Sequence, residues 1–144
     1  MKLNKPLFAI AISYLGFIPL EIYTQIMKYY GLTNVSGLES MSMMWIPEGS
    51  LVLGVLAGLG IGAWYSLITY YSVKIWGTDY FPIKAALLAM TSEALMFSIY
   101  GVLARNPNLT QDVSGNYVHA SAAAIGGICV GLLLKRFLFS HRTL

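Results

Sequence analysis

The chain has 144 residues, of which 57% are hydrophobic and only 10% charged, and its mean hydropathy is +0.66. A soluble domain carries about 25% charged residues, so this composition excludes a water-clothed globule and describes one membrane-embedded domain spanning 1–144. The net charge of +3 arises from basic residues at helix ends that form no patch, which excludes nucleic-acid recognition.

The first apolar segment runs from about Pro6 to Tyr30. Lys2 and Lys5 precede it as in a secretory signal, but no small-residue cleavage site follows, and the segment reads as an uncleaved spanning helix. Pro6 suits a first helical turn. Pro19 removes the bond to the Leu15 carbonyl and predicts a kink, and Glu21 follows two residues later inside the span. From Gly31 to Trp45 the chain is polar, then rich in methionine. Leu38, Met41, Met44 and Trp45 recur at helical spacing and predict a short helix lying in the interface. Thioethers are soft Cu(I) ligands, yet methionines beside a tryptophan at a membrane boundary read first as apolar anchors, and no metal site is assigned.

The second span, Ile46 to Tyr71, exceeds the roughly 20 residues that cross a bilayer. Ser50, Gly54, Gly58, Gly62 and Ser66 recur at every fourth position, so they fall on one inclined ridge. This is a tandem GxxxG pattern, which lets a second helix approach closely in lipid. Each such glycine costs about 1 kcal/mol relative to alanine in a water-exposed helix, so the ridge is expected to be covered. Pro47 and Glu48 form an N-terminal turn with the acid at the positive end of the helix dipole. Trp45 at one end and Tyr70, Tyr71 and Trp76 at the other read as interfacial aromatic belts.

After a short connector containing Gly77 and Asp79, the third span runs from Pro82 to Ala104. Lys84 lies near its start, Glu93 near its midpoint, and Arg105 closes it. The polar segment Asn106 to Tyr117 is expected to be an exposed loop. The fourth span, Val118 to Phe139, opens on His119 and carries a second small ridge of Ala123, Gly127 and Gly131. It ends in Lys135, Arg136, His141 and Arg142. Cys129, the only cysteine, lies in an apolar run and reads as a packed small hydrophobe.

The fold class is therefore all-α: a polytopic membrane protein with four transmembrane helices, the second and fourth packing through their small ridges. Lys2, Lys5, Lys74, Lys84, Lys135, Arg136 and Arg142 fall on one side of such a bundle, and Lys28 and Arg105 on the other. The positive-inside rule then places both termini in the cytoplasm, an N-in/C-in bundle. A slide of about 72 residues lays Glu21 on Glu93 and Gly54 on Gly126, which would make two parallel hairpins, whereas transporters commonly use inverted repeats.

Glu21 and Glu93 are the leading candidates for chemistry. A carboxylate at the bilayer centre costs about 2.5–3.5 kcal/mol on insertion scales, and such groups face a bundle interior or a water-filled cavity. Either they line a path for a proton or ion, or they hydrogen-bond across helices in a purely structural role. Glu21, Glu48, His119 and Arg105 could converge on a polar vestibule above Glu93, or snorkel into headgroups. No metal-ligand spacing, nucleophile elbow, phosphate loop or redox motif is present, and no cofactor is implied.

Where Asp79-Tyr80-Phe81-Pro82-Ile83-Lys84 leads into the third span and a histidine opens a glycine-rich fourth, the chain resembles small four-helix membrane proteins of unknown function from spore-forming and related bacteria. The matching positions are Tyr80, Lys84, His119, Gly126 and Gly127. The resemblance covers the second to fourth spans and implies a bacterial inner-membrane location. For function, the first expectation is a non-catalytic subunit or accessory protein acting through helix packing with lipids, copies of itself or other membrane subunits. The alternative is a small homo-oligomeric transporter or channel with Glu93, and with it Glu21, in the path.

Overall fold

A computed structural model describes residues 4–43, 45–104 and 106–139, with the side chains of residues 104 and 108 excepted. Its elements are five α-helices: α1 (Lys5–Tyr29), the one-and-a-half-turn α2 (Gly37–Ser42), α3 (Leu51–Trp76), α4 (Phe81–Ala104) and α5 (Val113–Leu134). A 3₁₀ turn at Pro107–Leu109 precedes α5, and a π turn at Lys135–Phe139 extends it. Four helices are long and apolar enough to cross a membrane: Lys5–Tyr29, Leu51–Trp76, Phe81–Leu103 and Val113–Phe139. The protein is an all-helical, multi-pass membrane protein.

Local chemistry sets each boundary. Asn4 caps α1 by accepting from the Leu7 N–H at 3.3 Å, with Pro in the first turn. The helix continues through Pro19 as one element to Tyr29, and Gly31 follows at φ +73°. Ser50 caps α3, so this span starts five residues after the expected Ile46; Pro47, Glu48 and Gly49 (φ +76°) form the preceding turn. At the far end Gly77 takes φ +68°, a conformation that favours glycine, and α3 stops at Trp76. Lys84 donates its ammonium to the Trp76 carbonyl, satisfying one of the open acceptors of the α3 C-terminus. Asp112 caps α5 by accepting from the Gly115 N–H at 2.7 Å.

This last cap revises the expectation for residues 106–117. The α5 helix starts five residues before Val118, and the segment ahead of it is only partly exposed: Pro107, Thr110 and Asp112 are exposed, whereas Asn106, Leu109 and Gln111 are buried. Asn106 donates to the carbonyls of Met43 (3.3 Å) and Pro47 (3.1 Å), so it pins the α2–α3 connection under the α4–α5 connection. A polar residue whose partners are backbone carbonyls reads as a loop residue in sequence and folds inward all the same.

The central element is α5, which packs against both α4 and α1. Its small residues serve two different neighbours. A Cβ added at Gly127 would sit 2.6 Å from the Ala86 Cα, and one at Gly131 would sit 2.6 Å from the Pro82 Cα, so these two glycines bring α5 against the α4 backbone. Toward α1, a Cβ at Gly126 would meet Leu20, and one at Gly16 would fall within 2.9 Å of Val130 backbone atoms. Ala123, 2% exposed, completes the buried face.

The three glycines of the α3 ridge are covered by elements other than α4 and α5. Gly54 lies against the Leu38 carbonyl of α2, Gly58 against the Leu38 and Met41 side chains, and Gly62 against Tyr14 and Phe17 of α1. Ser66 is fully buried and bonds back to the Gly62 carbonyl, and Ser50 is spent on the helix cap. The covering partner of the α3 ridge is thus the short α2 helix together with α1. At the other end of the bundle, Phe139 stacks on Tyr70 at 5.8 Å between ring centroids and meets Phe81 edge-on at 5.4 Å, which ties the end of α3, the start of α4 and the π turn together.

Candidate functional site: a cavity between two glutamates

The α2 helix is too short to hold itself together, and its stability comes from borrowed partners. Ser36 and Glu39 form a reciprocal capping box. The remaining free N–H groups are met from α1: Gly37 donates to Thr24 Oγ1 at 3.1 Å and Leu38 to Glu21 Oε2 at 2.9 Å. Gln25 Nε2 donates to Glu21 Oε1 at 2.8 Å. Glu21 therefore accepts throughout, and its carboxylate is the joint between α1 and α2.

Lys28, from the next turn of α1, lies 2.7 and 2.6 Å from the two oxygens of Glu39. Burial pushes the Glu39 carboxyl up, but the Lys28 ammonium and the Ser36 N–H and hydroxyl outweigh it and hold the group below its ordinary 4.5. Lys28 and Glu39 thus cancel each other's charge at this end of the bundle.

Glu93 is bonded differently. Its Oε1 lies 3.4 Å from Nδ1 of His119 on α5, the glutamate side chain being 18% exposed and the histidine 3%. The contact is in range for an ion pair but is not aligned as a hydrogen bond, and Nδ1 has no other partner. On the far side of the ring, Nε2 is 3.3 Å from Thr33 Oγ1, which also contacts Gln111 Oε1 at 3.1 Å and the Val35 carbonyl at 3.0 Å. Phe97 meets the imidazole edge-on at 4.9 Å. His119 sits seven residues past the Asp112 cap, about 10 Å down the helix axis, and not at the helix opening where the sequence put it.

The two glutamates face one cavity. It encloses about 440 Å³ between α1, α2, α3 and α4, and its wall includes Glu21, Glu93, Ser92, Tyr14 and Tyr65 among apolar residues such as Ile18, Ile22, Val55 and Leu59. That volume falls in the 300–1,000 Å³ range of small-molecule sites. Tyr14 and Tyr65 spend their hydroxyls on the carbonyls of Leu59 (2.6 Å) and Ala85 (2.7 Å), so their rings present apolar surface. No lysine or arginine is among the lining residues.

Of the expected vestibule, the structure joins Glu93 to His119 and brings Glu21 to the same cavity. Glu48 lies exposed on the turn before α3 and takes no part; Arg105 lies outside the described residues. Gly58 and Gly62, read as ridge residues, also line the cavity. Thr33 and Gln111 were missed. Among the described residues no group of three or more His, Cys, Asp or Glu side chains could hold a metal ion.

Fold and site define an all-helical chain with four helices of membrane-spanning length and apolarity and an acid-bearing cavity lined by those helices. The chain matches no protein-family model, no curated protein and no solved structure.

Proposed function

We propose that this protein is a small, non-enzymatic membrane transporter or channel whose working site is the Glu93 cavity. One observation carries the reading: Glu21 and Glu93, far apart in sequence and both inside spanning helices, line the same cavity. Intramembrane carboxylates at such sites mark ion, proton or substrate pathways. The small-residue ridges argue the same way. They are occupied by contacts within the chain, which removes the feature that favoured a role through packing alone. The protein resides in the bacterial inner membrane with both termini cytoplasmic, and works as a homo-oligomer. Four helices enclose little volume, so a continuous path forms more easily between copies.

The test is solute-driven proton movement in proteoliposomes carrying an internal pH-sensitive dye, assayed with a panel of cations and amphipathic amines. Wild-type protein should give a flux that Glu93→Gln abolishes. A flux unchanged in Glu93→Gln, or none above protein-free vesicles for the whole panel, overturns the reading.

A second reading, an accessory subunit, has its own support. The outer face of α4 exposes Leu95, Ile99, Val102 and Leu103, and a Cβ at Gly101 would meet nothing. That face suits lipid or a partner helix. Native mass spectrometry after gentle extraction separates the two: a stoichiometric complex with other subunits favours the accessory role, a homo-oligomer alone the transporter.

A further inference from the structure

The chemistry of the cavity selects one class of occupant, and this inference rests on the transporter reading of the same site. The wall is apolar over most of its area and carries acidic groups without a basic one. A neutral apolar molecule would fill the volume but leave the Glu93 carboxyl unused. An anion would meet only like charge. A cation with an apolar body meets both demands, gaining burial at about 25 cal/mol per Å² of apolar surface and a carboxylate partner where charge pairing is little screened.

The direction of the Thr33 hydroxyl decides the proton inventory of the pair. If the single Thr33 hydroxyl proton goes to the Val35 carbonyl or Gln111, the ring must donate from Nε2. Nδ1 then faces Glu93 Oε1 at 3.4 Å, and two lone pairs would confront each other unless one proton lies between them. In that arrangement the empty pair shares one proton and is neutral overall, either as two neutral groups or as imidazolium and carboxylate. When a monovalent cation takes the Glu93 carboxylate, that proton is surplus. His119 can remain neutral as the Nδ1–H tautomer, donating to Glu93 while Thr33 turns its hydroxyl to Nε2. One cation enters and one proton leaves, and the pair together with the bound cation stays at zero net charge.

We propose that the Glu93 cavity binds a lipophilic monocation in exchange for the proton shared by Glu93 and His119. The groups facing the pair are few. His119 and its partners Thr33 and Gln111 lie on the α5 side. Glu21 and Tyr14 of α1 and Tyr65 of α3 face it across the cavity, and Ser92 adjoins it on α4. Glu21, which accepts from the Gln25 amide and the Leu38 N–H, adds a second carboxyl group to the same wall.

The experiment uses the full chain in lipid nanodiscs with two probes of the same shape and opposite charge, tetraphenylphosphonium and tetraphenylborate. Calorimetry in buffers of different ionisation enthalpy counts the protons released. The expected result is saturable binding of the phosphonium alone, with about one proton released per cation. Affinity should rise roughly tenfold per pH unit while the pair is protonated, and Glu93→Gln should lose at least tenfold in affinity together with the proton release. Ile18→Trp, which narrows the cavity from its lipid side without touching charge, should also weaken binding; it decides the matter if Glu93→Gln fails to fold. Equal binding of both probes, or full phosphonium binding by the Glu93 or Ile18 variant, overturns the proposal. The two readings fail separately: binding with proton release but no flux defeats transport alone, whereas Glu93-dependent flux of another solute without phosphonium binding defeats the ligand class alone.

Discussion

Glu21, Glu39 and Glu93 show how much a carboxylate's role depends on its nearest donors. Glu21 accepts from Leu38 and Gln25, and Glu39 from Lys28 and Ser36, so both hold α2 in place. Glu93 instead lies against the His119 imidazole at 3.4 Å. The Glu39 cluster makes a testable statement about acid stability. Its folded-state pKa lies below the ordinary value, so it stabilises the fold above the unfolded pKa of about 4.3, and that contribution is lost as pH falls through the folded value. Lys28 is 36% exposed, so the ion pair contributes at the surface scale of about 0.2–1 kcal/mol, while a glutamine at this position keeps the capping-box acceptor. Thermal melts of wild type and Glu39→Gln should therefore differ at pH 7 and converge as the pH falls below the ordinary carboxylate range. A difference that persists unchanged to pH 3 would mean that ionisation of Glu39 contributes nothing.

At the scale of elements, the glycines sort by what surrounds them. Gly127 lies 2.6 Å, by its absent Cβ, from the Ala86 backbone, whereas Gly60 on α3 has nothing within 4 Å. The same substitution should act in opposite directions at the two sites. Gly127→Ala must push two helices apart and should destabilise by about 1–3 kcal/mol; Gly60→Ala keeps only the helix-propensity gain of up to about 1 kcal/mol. Unfolding in mixed micelles measures both. A Gly127→Ala protein as stable as wild type would contradict the close α4–α5 approach. The contrast also shows what could be read without coordinates. The four spans, the glutamates at membrane depth and the ridge spacing are legible because hydropathy and helical period are local properties. Which helix covers a ridge is not. The α3 ridge meets a six-residue helix, whose capping box, Ser36 to Glu39, is visible in the sequence but easily passed over beside a methionine-rich run. Thr33 and Gln111 lay hidden for a different reason. Each is an ordinary polar loop residue, and only the fold of the α4–α5 connection carries Gln111 to Thr33 and His119.

At the scale of the whole molecule, the distribution of charge sets the orientation in the bilayer. The Tyr70, Phe81 and Phe139 cluster ties together the helix ends that carry Lys74, Lys84, Lys135 and Arg136, and Lys5 starts α1, the span whose far end carries Lys28. Lys28 is neutralised there by Glu39, and Glu48 and Asp112 leave that end acidic. A cation excess at one end only is what the positive-inside rule converts into direction, so the α3–α4 turn should face the cytoplasm and the turn before α3 the outside. Cys129 is the only native cysteine, and replacing it with serine gives a background for site-specific labelling in intact cells. A cysteine placed at Glu48, which is exposed, should react with a membrane-impermeant maleimide added outside. One placed at Thr78, in the α3–α4 turn, should react only after the membrane is opened. Labelling of Thr78→Cys in sealed cells together with protection of Glu48→Cys would invert the topology. It would also place the Thr33, Gln111 and His119 side of the cavity toward the cytoplasm, and so reverse the side from which a proton reaches Glu93.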